Sequence, residues 1–273
     1  MTMNNLVLFD MDGTLTPSRK KATQDIVNAL NELRRFSDVG ILTGSGLNYL
    51  LEQCKNIMIQ NLPLEFGKIW IMPCNGTQLY DFCEETHYLS CLSKNSMSNE
   101  LGEREVSRLK SYLFSIQSEI MKDIADLPYT DNFIDDRESM INWCPIGRSA
   151  GDKERRAFID FDRKFDFREL TIRKIKGQIK DLDLGVNLVV KLGGDTSVDI
   201  FPEGWDKTYG LRHFEGKRTW FVGDRCFGQG NDREIYEELL QHSRAFSTTG
   251  VDETIEIINN NIIPVIVKES FMT

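Results

Sequence analysis

The chain has 273 residues, with 33 Lys and Arg against 42 Asp and Glu, a formal net charge of −9 and 40% hydrophobic residues. That length has room for one large or two medium domains, each with a real core, and the composition is that of a soluble globular protein. The acidic balance leaves no basic excess to displace counterions from nucleic-acid phosphates, and no apolar run approaches the ~20 residues of a membrane helix, so neither nucleic acid nor membrane is expected as a partner. Residues 1–5 lack the basic and apolar regions of a secretory signal, and the six cysteines (Cys54, Cys74, Cys83, Cys91, Cys144, Cys226) show no Cys-x-x-Cys spacing. Reduced thiols in a cytoplasmic protein are therefore expected, rather than zinc or a disulfide framework. The three histidines are scattered and suggest no role.

Leu6-Val7-Leu8-Phe9 reads as a buried parallel strand, and it runs straight into Asp10-Met11-Asp12-Gly13-Thr14. Consecutive acids are costly to bury, so they mark the strand's mouth, and the carboxyl ends of strands are where open α/β sheets bind ligands. Asp10 and Asp12, two apart on an extended chain, point the same way. Their mutual repulsion predicts a shared hard cation such as Mg2+. Asp-x-Asp-Gly also opens a calcium loop, but the fifth and twelfth places of that loop hold Thr14 and Lys21 instead of acids. An ordinary turn after the strand is the remaining plain reading.

Thr23 is placed to cap a helix through Ile26, Leu30 and Leu33, after which Val39 to Leu42 forms a strand ending in Thr43-Gly44-Ser45-Gly46. A helix through Leu47, Leu50, Leu51, Cys54 and Ile57 and a strand over 69–72, stopped by Pro73 and Asn75-Gly76, continue the alternation of a doubly wound sheet. From 83 to 102 the residues are polar and aperiodic, which predicts a linker or an inserted segment. Two helix stripes (Val106 to Ile120, Ile172 to Leu182) and strands over 133–146, 186–191 and 196–201 predict a separate α+β layer. The first pattern then returns with Trp220-Phe221-Val222-Gly223-Asp224, a late helix over 255–258, and a last strand from Ile262. The expected fold is thus an α/β core, 1–82 and 202–273, with an inserted α+β cap, 83–201.

Thr43, Lys207, Asp224 and Asp232 all fall at the ends of strands or of apolar runs, as Asp10 does. Carboxylates, a hydroxyl and a lysine in that setting suit phosphoryl transfer through an aspartyl phosphate, in which one acid attacks phosphorus while fixed cations offset the charge. With these motifs the chain resembles the haloacid dehalogenase-like phosphotransferases. Asp10 to Pro17, Asn142-Trp143-Cys144-Pro145-Ile146-Gly147-Arg148-Ser149, Asp199-Ile200-Phe201-Pro202-Glu203-Gly204-Trp205-Asp206-Lys207 and the Gly-Asn-Asp segment ending at Asp232 narrow it. Over about 6–248 the chain is similar to the eukaryotic-type phosphomannomutases. That resemblance implies Asp10 as nucleophile and Asp12 as general acid and base. It implies Mg2+ on Asp10, the backbone carbonyl of Asp12, and Asp224, with Asp232 close behind, and a hexose 1,6-bisphosphate as activator. It also implies Arg19, Arg137, Arg148, Arg155, Ser197 and Asp199 as sugar-phosphate ligands, and a homodimer formed through the cap.

The arginines make sense beside the resemblance, because guanidinium forks suit a phosphate dianion and a mutase needs a second phosphate site that a phosphatase does not. Ser197 and Asp199 share a strand face, which equally fits an ordinary polar face. Three positions depart from the family pattern: Asp195 stands for Gln, Cys74 for the Glu of a Pro-Glu-Asn-Gly turn, and Gly46 for an Asp. The expected reaction interconverts mannose 6-phosphate and mannose 1-phosphate. A sugar-phosphate phosphatase and a non-catalytic sugar-phosphate-binding protein are the rivals.

Overall fold

A computed structural model describes residues 4–60, 62–63, 65–181 and 184–271, which fold as two compact units, one up to Lys94 and from Trp205 onward, the other Asn95–Gly204. In chain order the first unit opens with β1 (Asn5–Phe9), α1 (Gln24–Leu33), β2 (Asp38–Leu42), α2 (Leu47–Met58), β3 (Ile69–Met72), β4 (Gln78–Cys83) and β5 (Tyr88–Lys94). The second unit holds α3 (Met97–Leu101), α4 (Glu103–Asp123), β6 (Ile134–Asp136), β7 (Ile141–Trp143), α5 (Asp152–Phe165), α6 (Phe167–Asp181), β8 (Leu188–Gly193) and β9 (Ser197–Pro202). A 3₁₀ segment, Lys207–Phe214, leads back into the first unit, followed by β10 (Arg218–Gly223), α7 (Arg233–Leu240), β11 (Ala245–Ser247), α8 (Val251–Ile257), a π turn over Ile258–Ile262 and α9 (Ile263–Ser270).

The first sheet runs β11-β10-β1-β2-β3-β4-β5, with its first five strands parallel and β4 and β5 added antiparallel. β1 lies in its middle, and its four apolar residues are completely buried because the pleat divides them between two layers. Val7 and Phe9 pack with Ile26, Leu30, Leu50 and Ile57 of α1 and α2, whereas Leu6 and Leu8 pack with Phe214, Ile235 and Leu239. In the second unit an antiparallel sheet ordered β6-β7-β9-β8 is anchored by fully buried Trp143, whose Nε1 donates to Gln117 of α4 at 2.9 Å. No described helix is long and apolar enough to cross a membrane.

Three expectations are corrected. The supposed linker contains β5, which pairs with β4 through its backbone while its side chains are mostly exposed, so it carries no hydrophobic alternation to read. That hairpin keeps residues through Lys94 with the first sheet, so the units divide at 94/95 and 204/205 instead of 82/83 and 201/202. The tail from Ile262 is helical: Ile258, Ile262 and Ile266 recur every fourth residue and are completely buried in the layer that also holds α1. Pro264 stands in the first turn of α9, where its missing N–H costs nothing. Leu182, the end of one expected stripe, lies outside the described residues; α5, α7 and β11 are not among the expected elements, and they bury only Phe158, Ile235 with Leu239, and Ala245 respectively.

Candidate active site

Parallel pairing of β1 with β2 and β10 sets Phe9 beside Ile41 and Val222, so the residues that follow each strand emerge along one edge of the sheet. Those residues are Asp10, Thr43 and Asp224, and the Asp10 N–H still bonds Val222 O at 2.9 Å. Carboxylate oxygens of Asp10, Asp224 and Asp232 lie within 4.8 Å of one another. Gly13, at φ 85°, permits this approach, since a Cβ there would stand 2.4 Å from Asp224 Oδ2. The Asp206 carboxylate accepts from the Thr208 N–H at 2.8 Å, fixing the start of the 3₁₀ segment that carries Lys207. Fully buried Lys207 then donates to Asp10 Oδ1 and, at 2.5 Å, to Asp232 Oδ1.

One ammonium therefore faces three carboxylates in a desolvated place. Burial pulls the Lys207 ammonium down most strongly, but Asp10 and Asp232 together outweigh it and hold the group protonated. Burial, followed by the charges of Asp232 and Asp224, pushes Asp10 well above the usual carboxylate range against the pull of Lys207. Asp224 rises to about 6, again chiefly by burial and then by Asp232. Burial is the larger cause of both shifts and the crowding of acids the smaller; Asp224 Oδ2 lies 3.8 Å from Arg225 Nε, while its Oδ1 is buried without a hydrogen-bond partner. Asp232 differs, because its Oδ1 is taken by Lys207 and its Oδ2 accepts from the Arg225 N–H at 3.0 Å. A hard divalent cation fits the all-oxygen donor set of Asp10 and Asp224, with Asp232 orienting Lys207. Burial also pushes the thiols of Cys54 and Cys226 up, which makes neither a nucleophile.

The carboxylate of Asp12 stands apart from that trio. Its Oδ1 accepts from the Arg19 N–H at 2.9 Å and from the Tyr49 hydroxyl at 3.1 Å. Arg19 is thus in the first unit beside the acid–base candidate, not among the arginines of the second unit. Buried Thr43 accepts from the Ser45 N–H at 3.1 Å on Oγ1 and from the Asn75 N–H at 2.8 Å on its carbonyl. Cys74 and Asn75 hold left-handed backbones in that turn, and Cys74 is buried, so a small side chain fills the place of the family's Glu. Gly46 begins α2 without the side-chain acceptor an Asp would offer.

In the second unit, β7 and β9 pair Asn142 with Asp199, and the Asn142 amide donates to Asp199 Oδ1 at 2.6 Å. Asn142 Oδ1 accepts from Arg148 at 3.3 Å, and Asp135 accepts from Arg137 Nε at 2.9 Å while lying 3.8 Å from Arg148 Nε. Burial first, then the charge of Arg137, pulls the Arg148 guanidinium down, so two cations converge on one carboxylate. Arg155 donates to Ala150 O, Thr196 Oγ1 (2.6 Å) and Arg148 O, and so supports the loop that carries Arg148. The Ser197 hydroxyl donates to Gly193 O at 2.7 Å, which leaves its oxygen able to accept. Asp195 is exposed in the same turn, next to Thr196. Sequence reading missed Tyr49, Asp135, Asn142 and Thr196. Asn142 stands inside one of the family's motifs and Asp135 is two residues before Arg137, whereas nothing local marks Tyr49.

A parallel sheet with a nucleophile-type Asp at the end of its middle strand, a buried lysine and two later acids defines a haloacid dehalogenase-like phosphotransferase core. The chain also matches solved structures of that fold. Among them are an IMP-bound Plasmodium falciparum IMP-nucleotidase (TM-score 0.64, 16% identity, 94% of this chain and 68% of that one) and an Aspergillus fumigatus trehalose-6-phosphate phosphatase (0.51, 14%, 94% and 93%). Residues 26–264 match the model of the eukaryotic phosphomannomutase family. The phosphomannomutase of Saccharomyces cerevisiae is 34% identical over 259 residues, 93% of this chain and 92% of that protein, and that of Encephalitozoon cuniculi 36% over 241, 87% and 86%. The protein belongs to the eukaryotic phosphomannomutase family. The family match begins beyond Asp10 and Asp12, and of the two it is Asp10 that the sheet edge brings to Lys207, Asp224 and Asp232.

Proposed function

We propose that the protein is a phosphomannomutase that interconverts mannose 6-phosphate and mannose 1-phosphate, working with Mg2+ and a hexose 1,6-bisphosphate activator. Asp10 attacks one phosphorus of the bisphosphate, and the bond from that phosphorus to the sugar oxygen breaks. Asp12 delivers its proton to the departing oxygen. In the reverse half-reaction Asp12 takes the proton of the free hydroxyl of an incoming hexose monophosphate of the opposite isomer, whose oxygen attacks the aspartyl phosphate, re-forming the bisphosphate and freeing Asp10. Lys207 and the Thr43 hydroxyl neutralise and orient the phosphoryl oxygens. Mg2+, held by Asp10, the Asp12 carbonyl and Asp224 with Asp232 behind, would supply charge neutralisation at that phosphate.

What supports a mutase over a phosphatase is the convergence of Arg137 and Arg148 around Asp135, with Arg155 bracing the Arg148 loop, which we read as a second dianion site. A phosphatase of one phosphate has no use for it. Asp199 and Ser197 are assigned to the sugar side of that site and Arg19 to substrate phosphate. A cytoplasmic homodimer paired through the second unit completes the reading. The test supplies purified protein with mannose 1-phosphate, Mg2+ and a catalytic amount of bisphosphate. Hexose 6-phosphate is expected; release of inorganic phosphate instead would make the protein a phosphatase, and neither product would make it a binding protein.

A further inference from the structure

Both hydrogen bonds to the Asp12 side chain fall on one oxygen, Oδ1, and they come from different pieces of chain. The first donor is the amide of Arg19, a non-glycine residue at φ 61°. A left-handed arginine is strained and persists only where its surroundings over-determine it. The second donor is the hydroxyl of Tyr49 in the first turn of α2, whose ring packs against the core that holds Phe9 and Leu50. The two pieces are tied together: the Ala22 N–H bonds Gln53 O of α2 at 3.0 Å, and Asn56 of α2 donates to Ala22 O at 3.3 Å. Two donors with a common support fix the rotation of a carboxylate about its Cβ–Cγ bond, which a single donor leaves free to swing. With Oδ1 so held, Oδ2 is the oxygen that meets the sugar.

We propose that Tyr49 is a positioning residue for Asp12, aiming Oδ2 at the oxygen that leaves or attacks in sugar phosphate transfer. The inference rests on the acid–base role given to Asp12 above. Proton delivery matters for a sugar alkoxide and hardly at all for 4-nitrophenolate, which leaves without a proton. In Tyr49→Phe the ring stays and the hydroxyl goes. The mutase kcat should fall about tenfold with the KM for hexose phosphate within twofold, the scale of one lost hydrogen bond to a charged group. The same preparation is tested for its first-turnover rate of 4-nitrophenol release from 4-nitrophenyl phosphate and, with phosphorylated enzyme, of phosphoryl transfer to hexose phosphate against transfer to 4-nitrophenolate, which has no proton to lose. The selective loss should appear with the sugar in each pair, and because both rates come from one sample an unfolded fraction cancels. An unchanged or faster mutase, or an equal fall with both acceptors, overturns the role of Tyr49. Asp12→Asn run beside it keeps the two failures apart: if it slows sugar and non-sugar reactions alike, the acid–base reading of Asp12 itself falls.

Discussion

The two charged clusters of this protein are built in opposite ways. At the edge of the parallel sheet three carboxylates crowd one buried ammonium, leaving negative charge unbalanced and Asp224 Oδ1 without a donor. In the second unit two guanidiniums, Arg137 and Arg148, stand together around Asp135, and Asp199 reaches Arg148 only through the Asn142 amide. The first cluster suits a hard cation and the second an anion, which the proposed function makes the phosphate that does not react. A buried charge left uncompensated costs several kcal/mol, so the carboxylate cluster gains most from its counter-ion.

Removing the attacking carboxylate breaks the contrast most completely. Asp10→Asn should lower phosphoryl transfer by about 10⁴-fold or more and abolish Mg2+-dependent labelling of the protein by a phosphate donor, read by mass spectrometry. Asp12→Asn, outside the carboxylate trio, should cost about 10²–10⁴-fold in turnover while labelling by an activated donor survives. Lys207→Met takes away the ammonium that Asp10 and Asp232 share. Folding stability of the metal-free protein should fall by about 3–5 kcal/mol in urea titration, and added Mg2+ should return part of it. On the cationic side Arg148→Ala should raise the KM for hexose phosphate by about 10–100-fold and leave 4-nitrophenyl phosphate kinetics alone; an equal loss with both would move Arg148 out of substrate binding.

The smallest effect is in pH. Asp224 has its carboxyl raised from 3.8 to about 6, so the folded protein holds a proton there that the unfolded chain has lost. Without metal, stability is fully present below about pH 4 and falls as pH rises through about 6, the sign expected of a raised acid. Mg2+ competes with the same proton, so its affinity should weaken about tenfold for each pH unit below about 6, as measured by calorimetry. An affinity flat from pH 5 to 7 would take Asp224 out of the cation's donor set.

Much of the catalytic edge is legible in the sequence. An uninterrupted apolar run ending in acids has few ways to fold, since the run must be buried on both faces and the acids cannot be. Parallel pairing then forces Asp10, Thr43 and Asp224 to one edge. The second unit is legible only in outline: Arg137 and Arg148 can be named from the resemblance, but nothing in the spacing of Asp135, Asn142 and Thr196 says which of them braces which arginine.

The sequence by itself determined the α/β class, the central strand that ends in Asp10 and the family, because these depend on local runs and short motifs whose meaning is fixed by burial and periodicity. Tertiary structure decided that the 83–102 stretch adds a strand, that an isoleucine-rich tail is a helix, and that a tyrosine 37 residues beyond Asp12 donates to it. Those outcomes turn on which distant surface each segment meets, and β-branched propensity or a lone hydroxyl says nothing of that until the chain has closed on itself.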